Sequence, residues 1–192
     1  MTGIFKQKTP ANIFLLLVLG VLIKLPMFLR PHIPTIDSEE GILFNALLKF
    51  LGPFGKSNPS IYPILTFLLL FSQAIMLTRF INTQRMMSKP TYFPGMAYIL
   101  ITSLFPEWNF FSAPILVNTI LLFILSSLFK IYNQQNAKGA IFNIGFALGI
   151  ASFLFFPSLT FIIWVLLALA VMRPFRLNEW VLCILGIAPP YY

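Results

Sequence analysis

The sequence has few charged residues, one cysteine and one histidine, and each shortage excludes a class of protein or site. Charged residues make up only 9% of the 192 residues. Soluble domains carry about a quarter charged residues to keep their surface wetted, so a soluble domain is excluded. A single cysteine forms neither an internal disulfide nor a thiolate metal site, and we expect Cys183, inside an apolar run, to be a small core residue. The lone His32 gives no support for a metal centre or a catalytic dyad.

Familiar nucleotide and hydrolase motifs are also missing. The sequence contains no phosphate-cradling Gly-Lys loop, no dinucleotide fingerprint and no Ser-His-Asp grouping, which is unfavourable to an ATP-driven pump or a soluble-type hydrolase. The net charge is +8, but the basic residues lie singly or in small groups between apolar runs. This arrangement is typical of membrane-protein loops, so we predict no nucleic-acid partner.

What the sequence does have is a series of long apolar runs, which predicts an all-α, polytopic transmembrane helix bundle. Hydrophobic residues make up 58% of the chain. The first run continues through Lys24 and Pro26 without a small-residue cleavage site, so we interpret it as a membrane span and not a signal peptide. We predict one transmembrane domain over residues 1–192, with six spans and the start of a seventh, at about 12–30, 61–80, 93–106, 110–130, 139–156, 158–172 and 180–192. The last run has the composition of part of a helix, as expected of a fragment of a longer chain.

Basic residues divide unevenly between the two sides of the predicted membrane. With the N-terminus in the cytoplasm, nine lie in cytoplasmic segments and three in outer segments, while Lys24 lies inside the first span. This bias is the positive-inside pattern, so we predict a cytoplasmic N-terminus. The acids divide the other way: Glu179 falls inside, and four fall outside, namely Asp37, Glu39, Glu40 and Glu107.

The first outer loop, about residues 31–60, contains the acidic segment 37–40 followed by a predicted amphipathic helix over 40–51. In that helix Gly41, Asn45 and Lys49 share one stripe and apolar side chains cover the rest. Such a pattern is typical of a helix that lies at the membrane surface.

Two hypotheses remain open for the acidic segment. Asp37 could act as a general base or hold a divalent cation against a diphosphate, with Glu39 and Glu40 binding substrate. Alternatively, Asp37 and Glu40 form a capping box that opens the interfacial helix, because acids in a first turn interact favourably with the helix dipole. One residue could serve both roles.

Three further residues near the predicted outer face are candidate functional residues, and each also has a simpler, non-functional interpretation. Glu107, between the third and fourth spans, could face Asp37 across a shared cavity and assist it, or it could be a solvated loop acid beside the interfacial Trp108. Lys24 and Arg30 could hold a lipid phosphate, or they could extend to the headgroups as long basic side chains usually do.

Small residues recur in the fifth predicted span. Gly145 and Gly149 form a GxxxG pattern that Ala147 and Ala151 extend. The pattern predicts close helix packing, either inside the bundle or between two chains.

The order of these features resembles the GT-C superfamily of multi-pass glycosyltransferases, which use polyprenyl-phosphate-linked sugars. The segment 37–40 stands where those proteins have an acidic motif, residues 40–51 match their membrane-parallel helix, and 59–63 (Pro-Ser-Ile-Tyr-Pro) matches the approach to their second span. Residues 145–151 are similar to their small-residue fifth helix, and 173–176 with 185–189 to their basic turn and next span.

The resemblance has two departures. Members often have an Asp just before the fourth helix, where this chain has Glu107. A polar or basic residue often interrupts their fifth helix, where residues 153–156 are wholly apolar. The chain also resembles a family of bacterial multi-pass inner-membrane proteins that begin Met-Thr-Gly-Ile-Phe-Lys, as residues 1–6 do.

These resemblances imply an enzyme of the bacterial inner membrane that transfers sugar from a polyprenyl-phosphate donor at the outer face, with Asp37 as base or metal ligand and Glu107 assisting. They imply membrane lipid and a lipid-linked sugar as partners, and a divalent cation as the cofactor to test. The rival hypothesis is a non-catalytic subunit whose apolar helices dock onto other membrane proteins in a larger complex. A transporter is disfavoured, because no intramembrane acid lines a path and no inverted repeat is visible.

Overall fold

The computed structural model describes residues 10–29, 31–34, 40–132, 134, 136–173 and 176–192, and the regular structure in these ranges is all helical. For residues 10, 11, 56 and 57 it describes the backbone only. The chain forms two compact units, which are Met1–Thr35 with Phe50–Ile115, and Ile36–Lys49 with Leu116–Tyr192. The single domain expected over 1–192 stays a prediction.

The first unit is built around α1 (Pro10–Ile23), α4 (Ile61–Thr83) and α5 (Phe93–Leu104). The predicted first span is not one helix, because α1 ends before Lys24 and a short α2 (Leu25–Leu29) follows it. Pro26 accounts for the break, since it has no N–H to donate to the preceding turn and its ring clashes with that turn. The core of the unit contains Leu16, Ala74, Tyr92 and Ile99.

In the second unit, α7 (Lys138–Leu154) packs along α9 (Leu177–Ile187), and α8 (Phe161–Met172) lies against α7. The small residues make this contact close: a Cβ added at Gly145 would lie only 2.0 Å from the carbonyl oxygen of Cys183. The GxxxG pattern therefore packs inside this unit. Cys183 is fully buried, as a core residue should be. The core also takes in the C-terminal part of α6 (Ala113–Ile131), and its buried residues are Ile124, Leu128, Ile131, Ala137, Ile141, Ile144, Leu148, Val165, Leu169 and Cys183.

The helix predicted over 40–51 is present as α3 (Ile42–Ser57), which begins two residues later than expected and continues through Pro53. Its position at the membrane surface stays a prediction. Glu40 therefore precedes the helix and is not in its first turn. Phe44 and Leu48 form the buried side of α3, while Ile42 and Phe50 are 78% and 74% exposed.

Two described helices, α4 and α6, are long and apolar enough to cross a bilayer. The helices at the other predicted spans, α1, α5, α7, α8 and α9, have 11 to 17 residues. A perpendicular crossing takes about 20 residues. The all-α prediction is confirmed for the described residues, while the number of spans and their topology stay predictions.

Candidate functional site

The structure describes some of the predicted site residues and not others. Asp37, Glu39 and Arg30 lie outside the described residues. Lys24 and Glu107 belong to the first unit, and Glu40 belongs to the second. The proposed pairing of Asp37 with Glu107 therefore stays a prediction. The proposed capping box is wrong, because it needs Glu40 in the first turn of the interfacial helix, whereas α3 begins at Ile42.

Glu40 lies in a cavity of about 230 Å³ at the C-terminal end of α7. One of its carboxylate oxygens is buried. The lining combines this carboxylate with two hydroxyl groups and aromatic rings, from Glu40, Gly41, Ile42, Ser152, Phe153, Phe156 and Tyr191. The sequence alone identified only Glu40 among these as a binding residue.

Gly41 fixes the position of Glu40 against α7. Its backbone N–H donates a hydrogen bond of 3.0 Å to the carbonyl oxygen of Leu154, the last residue of the helix. A Cβ at Gly41 would lie 1.9 Å from the carbonyl oxygen of Phe153, so no other residue could approach the helix end this closely. The backbone of Gly41 therefore holds the neighbouring Glu40 at the cavity.

Two hydroxyl groups meet on the opposite side of the cavity. The Oγ of Ser152 donates to the carbonyl oxygen of Gly149 at 2.6 Å and lies 2.7 Å from the hydroxyl oxygen of Tyr191. Because the serine hydroxyl has a single hydrogen, the tyrosine hydroxyl donates in the second bond. The Tyr191 oxygen keeps its acceptor capacity, and its ring packs on Phe153 with centroids 4.7 Å apart.

This arrangement offers hydrogen-bond acceptors beside apolar and aromatic surface. An ionised carboxylate accepts hydrogen bonds and donates none, and the Tyr191 oxygen can also accept a hydrogen bond. A polyol presents hydroxyl donors and an apolar C–H face, and this cavity can take both. Ser152, inside the small-residue stripe, is the one sequence signal that would have pointed to the hydroxyl pair.

Lys24 has a structural environment in the first unit. It is 2% exposed, and its ammonium donates to the carbonyl oxygen of Thr102 at 2.9 Å and to Oδ1 of Asn109 at 2.7 Å. These bonds join the break between α1 and α2 to the last turn of α5 and to the short helix Pro106–Asn109 that follows it. A role for Lys24 in substrate binding stays a prediction.

Glu107 lies in a short 3₁₀ helix, Pro106–Asn109, and its side chain is exposed. Near it, an apolar cavity of about 350 Å³ between α4 and α5 includes Tyr98 and Trp108 in its lining. Tyr98 donates a hydrogen bond to the side chain of the fully buried Gln73, whose amide nitrogen donates to the carbonyl oxygen of Ile115. Sequence reasoning missed this network, although a lone glutamine inside an apolar span was a signal for it.

A buried ion pair in the second unit was also missed. Nε of Arg173 lies 3.0 Å from Oε2 of Glu179, and Nη2 donates to Oε1 at 3.1 Å. Nη1 donates to the carbonyl oxygen of Ile131 at 2.8 Å. From the sequence, Arg173 counted only as a loop cation that orients the chain.

The described residues contain no group of three or more His, Cys, Asp or Glu side chains that could hold a metal ion. The predicted metal ligand, Asp37, is outside them. Comparisons with family models, curated proteins and solved structures found no match to this chain.

Proposed function

We propose that the chain is a multi-pass protein of the bacterial inner membrane with a cytoplasmic N-terminus, and that its outer face binds a lipid-linked sugar for glycosyl transfer. One observation carries the functional proposal: Glu40, Ser152 and Tyr191 line one cavity whose other side chains are apolar. Asp37, three residues before Glu40 in the sequence, is the proposed base.

The membrane part of the proposal is supported by where polar and apolar side chains lie. Thr66 and Gln73 are 0% exposed, whereas Ile163 and Val171 are 60% and 86% exposed. In water, this much exposed apolar surface would be unfavourable. In lipid it is not, and buried polar groups there must find partners inside the protein, as Gln73 does.

The orientation is supported by the nine basic residues in predicted cytoplasmic segments against three in outer ones. With the N-terminus inside, the C-terminal end of α7 faces outward. The Glu40 cavity then opens at the outer face, where a lipid-borne sugar would present its polar part while its tail stays in the membrane.

The orientation is tested by single cysteines placed in a Cys183→Ala background. Cysteines at Asn58 and Glu107 should react with a membrane-impermeant maleimide in intact cells. Cysteines at Gln84 and Gln134 should react only after the membrane is permeabilised. Reaction at Gln84 in intact cells would contradict the proposed orientation.

The proposed reaction forms a bond between an acceptor oxygen and C1 of the sugar, while the C1–O bond to the polyprenyl phosphate breaks. The Asp37 carboxylate takes the acceptor proton, and the polyprenyl phosphate leaves with the bonding electrons. Glu40 and Tyr191 accept hydrogen bonds from sugar hydroxyls, which holds the sugar in place. A divalent cation near Asp37 would offset the phosphate charge.

The functional proposal is tested by complementing a deletion strain. Asp37→Asn removes the charge that a base needs, and Glu40→Gln replaces one acceptor oxygen with an NH₂ group that cannot accept from a sugar hydroxyl. Both changes keep the size of the side chain, so expression and melting temperature should stay normal while complementation is lost. Lys49→Gln, on the exposed surface of α3, is the matched control and should complement fully. If Asp37→Asn and Glu40→Gln both complement at native expression level, the enzyme proposal fails and the non-catalytic subunit replaces it.

A further inference from the structure

A second polar cavity lies in the second unit, at the opposite end of α7 from Glu40. It has a volume of about 440 Å³ and lies where α7 and α9 both begin. Its lining residues are Lys138, Arg176, Leu177, Asn178 and Glu179.

The charge of this cavity is positive despite the glutamate. Both carboxylate oxygens of Glu179 face the guanidinium of Arg173, at 3.0 and 3.1 Å, so that negative charge is offset. Lys138 and Arg176 are exposed, and Arg173–Glu179 is the one ion pair among the described residues. Two cations without a carboxylate partner therefore share one cavity, where a bound anion would relieve their mutual repulsion. The N-terminal ends of α7 and α9 add positive potential in the same place.

An apolar strip begins at this cavity and follows one side of α9. Leu177, Val181, Ile184 and Leu185 are spaced on one helix face and are 51–64% exposed. A ligand with a phosphate at one end and acyl chains at the other would match the cavity and the strip together. A free phosphate would use only the cavity.

We propose that this cavity binds the phosphate of an anionic phospholipid, with Lys138 and Arg176 holding the headgroup and an acyl chain along α9. The inference rests on the proposed membrane embedding and orientation, which place the cavity at the cytoplasmic leaflet. Basic pockets between helices on that side are suited to anionic headgroups. It does not depend on the glycosyl-transfer activity.

The test titrates short-chain phosphatidylglycerol, and separately phosphatidylcholine, into the full chain in detergent, with binding followed by tryptophan fluorescence. Wild type should prefer phosphatidylglycerol. Lys138→Gln with Arg176→Gln should weaken that binding about twenty-five-fold, roughly fivefold for each basic residue removed. The control Arg85→Gln with Lys89→Gln changes the charge equally on the same predicted side and should bind like wild type. Glu40→Gln should also bind normally, which separates this site from the proposed active site.

Three outcomes would overturn the proposal. Wild type could bind both lipids equally, or the control pair could lose as much affinity as the cavity pair. Inorganic phosphate could also bind in a Lys138- and Arg176-dependent way while the lipid does not, which would make the site one for a soluble phosphate. Competition of inorganic phosphate with bound lipid would instead support the shared phosphate chemistry.

Discussion

Adding one methyl group at Gly145 should separate α7 from α9 and destabilise the second unit. The new Cβ would lie 2.0 Å from the carbonyl oxygen of Cys183, more than an ångström inside the 3.4 Å at which ordinary contact begins. Both sides of this contact are helix backbone, so no side chain can rotate away. Overpacking typically costs about 1–3 kcal/mol, and an unyielding backbone contact belongs at the upper end.

Alanine substitutions at two other glycines of α7 provide reference values for the stability loss expected at Gly145. A Cβ added at Gly139 would have no atom within 4 Å, so Gly139→Ala should be neutral or gain up to about 1 kcal/mol of helix propensity. Gly149 is intermediate, because its Cβ would meet the Ile187 carbonyl oxygen and the Pro190 ring at 2.9 Å. Expected stability therefore falls in the order Gly139→Ala, Gly149→Ala, Gly145→Ala.

Melting in detergent, followed by tryptophan fluorescence, measures the series. The expected difference between Gly145→Ala and Gly139→Ala is about 3–4 kcal/mol. At about 2–4 °C per kcal/mol for a chain of this size, Gly145→Ala should melt roughly 6–16 °C below Gly139→Ala. If Gly145→Ala gives no folded protein, the Gly149→Ala value still tests the order. Equal melting temperatures for all three variants would refute the close contact of α7 with α9.

Three further outcomes can be measured by the same melting assay. Arg173→Met alone should lower the free energy of unfolding by about 3–5 kcal/mol, because it leaves Glu179 buried without its partner. The double variant Arg173→Met with Glu179→Leu should recover much of that loss. Lys24→Met should lower the free energy of unfolding by about 1–3 kcal/mol, because the buried carbonyl oxygen of Thr102 and the half-buried amide oxygen of Asn109 lose their donor. Glu107→Gln should change stability by less than about 0.5 kcal/mol, since the side chain is exposed.

The positions of the helices were largely predictable, because prolines, glycines and charges interrupt the apolar runs. The apolar run that begins at residue 61 corresponds to α4, and the one over 139–156 corresponds to α7 within a few residues. The break at Lys24 was not predicted, since hydropathy continues through it and only Pro26 marks it. The continuation of α3 through Pro53 was missed for the opposite reason: local propensity disfavours it, yet the helix persists.

The candidate site was only partly predictable. The acids of the outer loop were visible in the sequence, because charge is rare in this chain. Their neighbours were not, since Ser152 and Tyr191 lie more than a hundred residues from Glu40 and meet it only through tertiary packing. Gly41 had been assigned to a polar stripe, but its importance comes from the absence of a Cβ at the end of α7.

Among the described residues, the buried cations Lys24 and Arg173 have a common role that charge counting could not show. Lys24 donates to the carbonyl oxygen of Thr102 in the last turn of α5, and Arg173 donates to that of Ile131 at the end of α6. The last carbonyl groups of a helix have no partner within it, and a positive charge there also complements the helix dipole. In lipid these carbonyls could not be left to water. The basic residues whose burial the structure describes therefore fall into two groups. Lys24 and Arg173 are buried and donate to carbonyl groups at helix ends, whereas exposed ones such as Lys138 and Arg176 remain available to an anionic ligand.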